Sequence, residues 1–516
     1  MAEQDRASDA AIPESPAGEA RIGADEWVVQ EALRRQQRAG VFAGVANMWD
    51  SIPAAARYAI AALFLIIAPP LSGLPFVVDL LGISSNEFIV RTGAQFLTFA
   101  MLAMGLNVVV GYAGLLDLGY VAFFGVAGYS YAYLSSEFIQ IGGFIPHGIA
   151  VPSIVSVPLI IAFTALVGWI LGSVSIRLVG DYLAIVTLGF GQLFVQLATT
   201  ATRVKLPWVD HTVDFTRGPN GINHLDPIAV FGFRFETTLQ YYYLFLVLGA
   251  LVYLFVFRIN HSRLGRAWRA MRENELAAEV MGMPTRRLKL MAFAIGAGIA
   301  ALAGSVNAAW QSNVVPAPRY SVLTLINLYA MVVLGGIGSL PGVVIGAFAF
   351  TVLPELLRSI ALAGFLFYLG GLIALLALLR PFKRFMLVLG GTIAAGALLK
   401  LIVHVLWPGL DSGFPPSGSI INNIVQGWLV IPQNFELVGN IIAGAAAFVL
   451  LATILLKPPY RWISLGVAIY TLAFAWETRL AVEPAATRIL ILGITLITLM
   501  VTRPQGLLGK PQVTVV

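Results

Sequence analysis

The sequence predicts an all-α polytopic membrane protein with about 14 transmembrane helices, within a range of roughly 12 to 14. Of its 516 residues, 58% are hydrophobic and only 11% are charged, whereas about a quarter of the residues in a soluble domain are charged. Its apolar segments are also too long for the strands of a transmembrane barrel, which alternate over about ten residues. A water-soluble protein is therefore excluded, and helices are favoured throughout.

Long stretches without Asp, Glu, Lys or Arg locate the first of these helices. Each stretch equals or exceeds the roughly 20 apolar residues that a helix needs to cross the hydrocarbon core. They run between residues 91 and 117, 137 and 177, 181 and 203, 236 and 258, and 289 and 319. The full set of predicted spans is 57–80, 88–110, 113–135, 149–176, 181–201, 239–257, 288–312, two short Gly-rich crossings within 322–357, a span ending near 379, and 385–407, 438–456, 462–480 and 488–502.

The N-terminal residues 1–56 are predicted to form a cytoplasmic tail that is partly disordered, because they are rich in Ala, Glu, Asp and Pro. No basic region followed by an apolar core is present, so we expect no signal peptide. Residues 25–38 have a helical pattern, which fits a short helix on the membrane or on a partner, or else a solvated tail.

The distribution of charge predicts the orientation. Residues 258–289 hold eight basic residues against three acidic ones, an excess that is typical of cytoplasmic loops. Residues 203–236 have balanced charge and several prolines, and we interpret them as an external loop. The spans on either side agree with this assignment, which places both termini in the cytoplasm. The net charge of +6 then reflects orientation, and we expect no nucleic-acid partner.

Glycine clusters and a few polar residues interrupt the apolar segments. Gly125 and Gly128 favour close helix packing. Asp117 lies in an apolar run, where an ionisable residue is costly; it either caps a broken helix or contacts the substrate. Asn107 and Thr187 are further candidates for lining or shaping a translocation path.

A second Gly-rich segment, 332–342, predicts a break or turn at membrane depth. It weakly echoes residues 108–118 at a constant offset of 224 residues, which would fit an internal repeat.

The cytoplasmic loop carries two apolar triplets with helical spacing. Leu264, Trp268 and Met271 form the first triplet. The second follows a break at 273–275 and consists of Leu276, Val280 and Met283. This pattern predicts two short amphipathic helices. They would lie on the membrane surface or form a docking surface for a cytoplasmic partner.

The sequence offers few residues that could form a metal site or an enzyme active site. There is no cysteine, the five histidines lack metal-ligand spacing, and no set of paired acids or of nucleophile and base suggests an enzyme. No phosphate-binding loop of the Gly-x-x-x-x-Gly-Lys-Ser/Thr type occurs, so the chain has no ATP site of that type. We expect no metal and no cofactor.

Several motifs, in their order along the chain, resemble LivM-type permeases of the bacterial ABC importers for branched-chain amino acids. They lie at 105–120, 180–191, 218–222, 262–283, 289–296, 331–339 and 503–509. The resemblance implies a permease subunit in the bacterial inner membrane, contacting lipid. It also implies two cytoplasmic ATPase subunits that hydrolyse ATP, a second, LivH-like permease and a periplasmic substrate-binding protein.

On this resemblance, residues 57–358 form the permease core with its coupling loop at 258–289, and 488–516 form the last span and a cytoplasmic tail. The coupling surface toward the ATPase is expected to comprise Arg272, Glu273, Asn274, Ala277, Ala278 and Gly282.

The sequence departs from the family pattern in two places. Residues 359–487 form an insertion that is predicted to add four spans, and the Glu-Ala-Ala coupling motif fits Glu275, Ala277 and Ala278 only with one residue inserted. The alternatives are an ABC permease for urea or amides, and a secondary transporter or channel that works alone. The latter would need acids within the spans.

Overall fold

The computed structural model describes residues 63–70, 86–136, 138, 151–175, 181–202, 204–205, 212–356, 360–379, 382–407, 427–432, 434–457, 460–480, 490, 493, 497 and 506–507. The predicted tail 1–56 and most of the predicted span 488–502 lie outside these residues, as does much of 408–436.

Most of the described residues are helical. The helices are α1 (Asn86–Leu106), α2 (Tyr120–Ser135), α3 (Ser153–Ser175), α4 (Asp181–Thr200), α5 (Thr238–His261), α6 (Arg263–Glu273), α7 (Glu275–Val280), α8 (Thr285–Gln311), α9 (Val322–Gly335), α10 (Leu340–Leu356), α11 (Ile360–Leu378), α12 (Phe382–Leu406), α13 (Phe435–Leu455) and α14 (Tyr460–Ala475). A π-helical turn, Asn107–Tyr112, continues α1, and a second, Trp476–Leu480, continues α14.

Six of the described helices are long and apolar enough to cross a membrane, namely α1 with its π-helical turn, α3, α4, α5, α8 and α12. Shorter apolar helices include α9 and α10. The chain is thus a multi-pass helical membrane protein, as predicted. The total of about 14 spans stays a prediction.

Contacts divide the chain into two compact units, and every site discussed below lies in the larger one, Leu65–Gly370 with Met386–Val516. The smaller unit, Met1–Phe64 with Gly371–Phe385, includes the last residues of α11 and the first residues of α12.

Within the described residues, helix positions agree with the predicted spans except at one place. The predicted span 113–135 becomes helical only at Tyr120, and residues 113–119 form a turn that follows the π-helical turn. Gly114, which has φ +72°, lies in this turn. A Gly residue adopts this conformation without steric cost. Helices α11 to α14 lie at the positions of the four spans predicted within 359–487, and of these α12 is long and apolar enough to cross a membrane. That all four cross the membrane stays a prediction.

Short strands that the sequence did not predict lie in the loop before α5 and just after α8. Antiparallel pairs form between β1 (Val204–Lys205) and β2 (Thr212–Val213), between β4 (Ala229–Val230) and β5 (Phe233–Arg234), and between β3 (Ile222–Asn223) and β6 (Asn313–Val314). Two residues are too few to show the alternation by which strands are recognised in a sequence.

Helices α1 and α8 are the most deeply buried of the spanning helices. Helix α8 packs against α1, α2 and α3, and α1 packs in addition against α5 and α10. Glycines allow close approach: a Cβ atom on Gly304 of α8 would lie 2.5 Å from the carbonyl oxygen of Phe124 in α2. Gly125 and Gly128 lie against Phe194 and Tyr320, which confirms their predicted role in packing.

Candidate functional site

Two short helices, α6 and α7, form the loop between the spanning helices α5 and α8, as predicted. Ser262 caps α6 by accepting a hydrogen bond from the Gly265 N–H through its hydroxyl. Asn274 ends α6 and caps α7, since its Oδ1 accepts the N–H of Ala277 at 3.0 Å. The break between the two amphipathic segments therefore lies at one residue, whose amide side chain suits an N-cap.

Helix α6 is fixed to the beginning of α8. The indole of Trp268 is fully buried, and its N–H donates to the carbonyl oxygen of Leu288 at 2.8 Å. Met271 is also buried. A buried indole N–H usually finds such a partner, and here the partner is the backbone of the neighbouring helix. The apolar face of α6 is therefore an anchor.

Helix α7 exposes its large apolar side chains on the surface of the protein. Leu276 is 74% exposed, Val280 is 88% exposed, and Met281, directly after the helix, is 80% exposed. The beginning of α7 is held to α8 by an ion pair of 2.5 Å between Glu275 and Lys289. An exposed apolar group rimmed by charges is typical of a protein interaction site.

The six residues predicted for the coupling surface do not share one environment. Glu273, Asn274, Ala277 and Gly282 are exposed, whereas Ala278 is buried. Gly282 has φ +81°, and a Cβ atom there would meet no atom within 4 Å. Their role in coupling stays a prediction.

Arg272 differs from the other five because its side chain turns inward. It is partly buried, and its guanidinium donates to the carbonyl oxygen of Gly111 in the first π-helical turn. Burial lowers the pKa of this guanidinium, and the nearby Glu273 carboxylate opposes the shift. Arg remains charged in proteins, so a full positive charge meets this carbonyl group.

The first π-helical turn also contacts the Gly-rich segment after α9. Asn107 Oδ1 accepts the N–H of Gly338 at 2.8 Å, and Gly338 has φ +85°. At the end of α9, the carbonyl oxygen of Leu334 accepts the N–H of Leu507 at 2.9 Å. The two Gly-rich segments that echo each other in sequence are therefore neighbours in space.

Asp117 is fully buried in the turn before α2. Its Oδ1 accepts the N–H of Gly119, the N-cap residue of α2, at 2.9 Å, and its carbonyl oxygen accepts the hydroxyl of Tyr329 at 2.7 Å. Its Oδ2 has no hydrogen-bond partner among the described residues. These contacts hold the turn in place.

Thr187 and Asn107 are also fully buried. The Thr187 hydroxyl accepts the N–H of Leu118 at 2.9 Å and donates to the carbonyl oxygen of Ala184. All three residues predicted for a translocation path are thus fully buried. Their part in transport stays a prediction, and the contacts of Asp117 and Thr187 support the turn that carries Leu118.

An open, apolar cavity of about 420 Å³ lies beside this turn. It is lined by Leu118, Leu188, Val322, Leu325, Ile326, Tyr329, Ala330 and Val333. It adjoins a narrow cleft whose walls include Gly119, Gln192 and Ser321. Sequence reasoning missed this lining because apolar residues facing a cavity and apolar residues facing lipid look alike in a sequence.

A polar contact between described helical segments also escaped sequence reasoning. Tyr368 of α11 donates its hydroxyl to Glu477 Oε1 at 2.7 Å, and Phe367 stacks on Trp476 with ring centroids 4.2 Å apart. These contacts join α11 to the second π-helical turn.

Comparison with known proteins places the core of the chain. A sequence model of the family described as branched-chain amino acid transport system / permease component matches residues 88–378. The high-affinity branched-chain amino acid transport system permease protein LivM of Escherichia coli K12 is 36% identical over 306 residues, which cover 55% of this chain and 66% of that protein. The chain thus spans just under two thirds of the length of this relative.

Other relatives are more distant. A probable LivM of Methanocaldococcus jannaschii is 27% identical over 203 residues, covering 39% of this chain and 55% of that protein. The permease protein LivH of E. coli K12 is 27% identical over 256 residues, covering 48% and 78%. No solved structure matches the chain significantly. Since the family match covers more than half of its residues, the chain belongs to the permease components of branched-chain amino acid transport systems.

Proposed function

We propose that the chain is the transmembrane permease subunit of an ABC importer for branched-chain or related amino acids. The observation that carries this proposal is α7, a short helix in a basic loop that exposes Leu276 and Val280. Apolar side chains on a polar loop are costly in water unless a partner covers them. In a protein that transports alone, only the membrane surface could cover these side chains.

The energy for transport would come from two cytoplasmic ATPase subunits, because the sequence has no phosphate-binding loop of the Gly-x-x-x-x-Gly-Lys-Ser/Thr type. A second permease and a periplasmic substrate-binding protein would complete the importer. The chain itself would need no cofactor. The excess of basic residues in 258–289 favours a cytoplasmic position for α6 and α7 in the bacterial inner membrane, with both termini inside.

The path for the substrate would run along the apolar cavity beside Leu118. Its walls of Leu, Ile, Val, Ala and one Tyr side chain match the aliphatic side chain of a branched-chain amino acid. Urea and amides, which are small and polar, would gain little from such walls. Closure of the ATPases would shift the populations of inward-open and outward-open states, provided that the ATPases bind the two states with different affinity.

Transport by the reconstituted complex tests this function. The chain is purified with the ATPase and permease subunits of its own system and placed in proteoliposomes with the binding protein. We expect uptake of labelled leucine that requires ATP. Unlabelled urea should not inhibit this uptake. The control carries ATPase subunits whose phosphate-binding lysine is replaced. Uptake by the chain alone, driven by an ion gradient, would show instead a secondary transporter.

A further inference from the structure

Arg272 enters a slot made of glycines. A Cβ atom on Gly114 would lie 2.8 Å from Arg272 Cγ, and a Cβ atom on Gly338 would lie 3.0 Å from Arg272 Nη1. The guanidinium ends on the carbonyl oxygen of Gly111. Three glycines on two backbone segments therefore surround one arginine side chain, which leaves little room for another position.

The contact joins two structures of different kinds. Helix α6 is joined to α8 by the buried Trp268 indole and its hydrogen bond to the carbonyl oxygen of Leu288. The π-helical turn is irregular, and π-helical turns occur frequently at functional sites. A hydrogen bond from a charged donor is roughly twice as strong as one between neutral groups. Arg272 is thus the charged link between the α6 and α8 pair and the irregular turn.

The turn that follows leads directly to the cavity. Gly111 is followed by residues 113–119, which contain Gly114 and place Leu118 in the cavity wall. Thr187 and Asp117 hold this segment at its far end. A continuous chain of contacts therefore runs from the exposed helix α7 through α6, Arg272 and Gly111 to Leu118.

We propose that Arg272 is a positioning residue that passes displacement of α7 to the turn carrying Leu118, and that it does not itself contact the ATPase. This inference rests on the proposed importer function. It separates Arg272 from the exposed residues of the same loop: α7 receives the partner, whereas Arg272 conveys the motion. Substitutions on the exposed face of α7 should therefore reduce ATPase binding, whereas substitution of Arg272 should leave ATPase binding intact and reduce uptake.

The test compares Arg272→Ala and Arg272→Lys with Arg266→Ala in the full complex. Arg266 is a matched control because it is an exposed arginine of α6 that also donates to a backbone carbonyl oxygen, that of His261 at the beginning of the helix. For Arg272→Ala we expect unchanged co-purification of the ATPases, nearly unchanged ATP hydrolysis, and leucine uptake reduced about tenfold, within the range of allosteric couplings. Arg272→Lys should recover part of the uptake, and Arg266→Ala should behave as wild type.

Three results would overturn the proposal. Loss of the ATPases from the Arg272→Ala complex would make Arg272 a docking residue. A proportional fall of hydrolysis and uptake would make it a purely structural residue. Uptake equal to that of wild type would remove it from the mechanism.

A second measurement reads the turn itself. Leu116 is 42% exposed within 113–119, and the chain has no cysteine, so Leu116→Cys carries a single bimane label. The labelled complex made with the unsubstituted chain gives the background from the partners. We expect ATP to change the bimane emission, and Arg272→Ala to remove that change. An equal response with and without Arg272 would contradict the proposal.

Gly114→Ala provides an independent perturbation that leaves the charge in place. The new Cβ would displace Arg272, and the φ of +72° disfavours Ala. Gly390→Ala is the control, since a Cβ there meets no atom within 4 Å. Gly114→Ala should uncouple uptake from hydrolysis as Arg272→Ala does. If the wild-type complex hydrolyses ATP but takes up no leucine, the proposed importer function is disproved. The bimane response would still decide the role of Arg272 in that case.

Discussion

Helices α6 and α7 have the same apolar spacing in one loop but meet opposite environments. The apolar residues of α6, Trp268 and Met271, are buried against the membrane helices, whereas Leu276 and Val280 of α7 are largely exposed. Spacing therefore predicts that a helix has an apolar face and leaves open what covers it. The difference divides one loop into an anchor and a presented surface, and substitutions in each part should have different consequences.

The largest effect is expected from Trp268→Ala, which removes the side chain that fixes α6 to α8. The substitution removes a fully buried indole and leaves the Leu288 carbonyl oxygen without its donor. Such changes cost about 3–5 kcal/mol. We expect a clearly lower melting temperature of the purified chain in detergent. Leu276→Ala, on the exposed helix, is the control, and equal stability of the two variants would contradict the division.

The next effect concerns the presented surface. Val280→Asp places a charge on a residue that is 88% exposed, so folding should change by less than about 0.5 kcal/mol. Binding of the ATPase should nevertheless fall by more than about tenfold, as for an interface hot spot. Co-purification and thermal melting measure the two quantities. Glu279→Asp, also on an exposed residue of α7, should leave both unchanged; full ATPase binding by Val280→Asp would place the docking surface elsewhere.

A smaller effect on function, but a clear labelling difference, is expected along the cavity. Leu118→Cys and Ile326→Cys line it, whereas Leu193, on α4, is 55% exposed and lies outside its lining. If the cavity is the path, a water-soluble, charged thiol reagent should modify the first two within the assembled complex, and substrate should slow the reaction. Leu193→Cys should react only with a lipid-soluble reagent. Equal reactivity of all three would contradict a path here.

The smallest effect is expected from Asp117→Asn. An amide oxygen accepts the Gly119 N–H as the carboxylate does, and Asn forms such a side-chain turn with the backbone two residues on as Asp does. We expect normal assembly and uptake within about twofold of wild type. Uptake kinetics of the purified complex measure this, with Asp117→Ala as the comparison that removes the acceptor. Selective loss of uptake in a fully assembled Asp117→Asn complex would instead support a path role.

The sequence predicted the long helices well because charge-free stretches of sufficient length have few alternatives in a membrane. The break between α6 and α7 was also predictable, since Asn274 is a strong N-cap residue. The inward turn of Arg272 was not predictable. Its neighbours on α6 are also arginines, and only the three-dimensional position of Gly111 and Gly114 distinguishes it from them.

The π-helical turn escaped prediction for a related reason. It changes the helical period over only six residues, Asn107–Tyr112, which is too short to alter an apolar pattern that is uniform on all sides. The burial of Asp117 and Thr187 was missed as well, because a polar residue in an apolar run looks the same whether it supports a turn or lines a path.

The same π-helical turn has a mechanical consequence. A π-helical turn accommodates extra residues within a helix, so its conversion to regular α-helix would advance the chain that follows. One residue of slip corresponds to about 1.5 Å of translation and about 100° of rotation in an α-helix. Leu118 follows this turn and lines the cavity. The hydrogen bond from Arg272 to Gly111 would then hold or release this one-residue shift of the helix. The shift would move the Leu118 side chain, which lines the cavity.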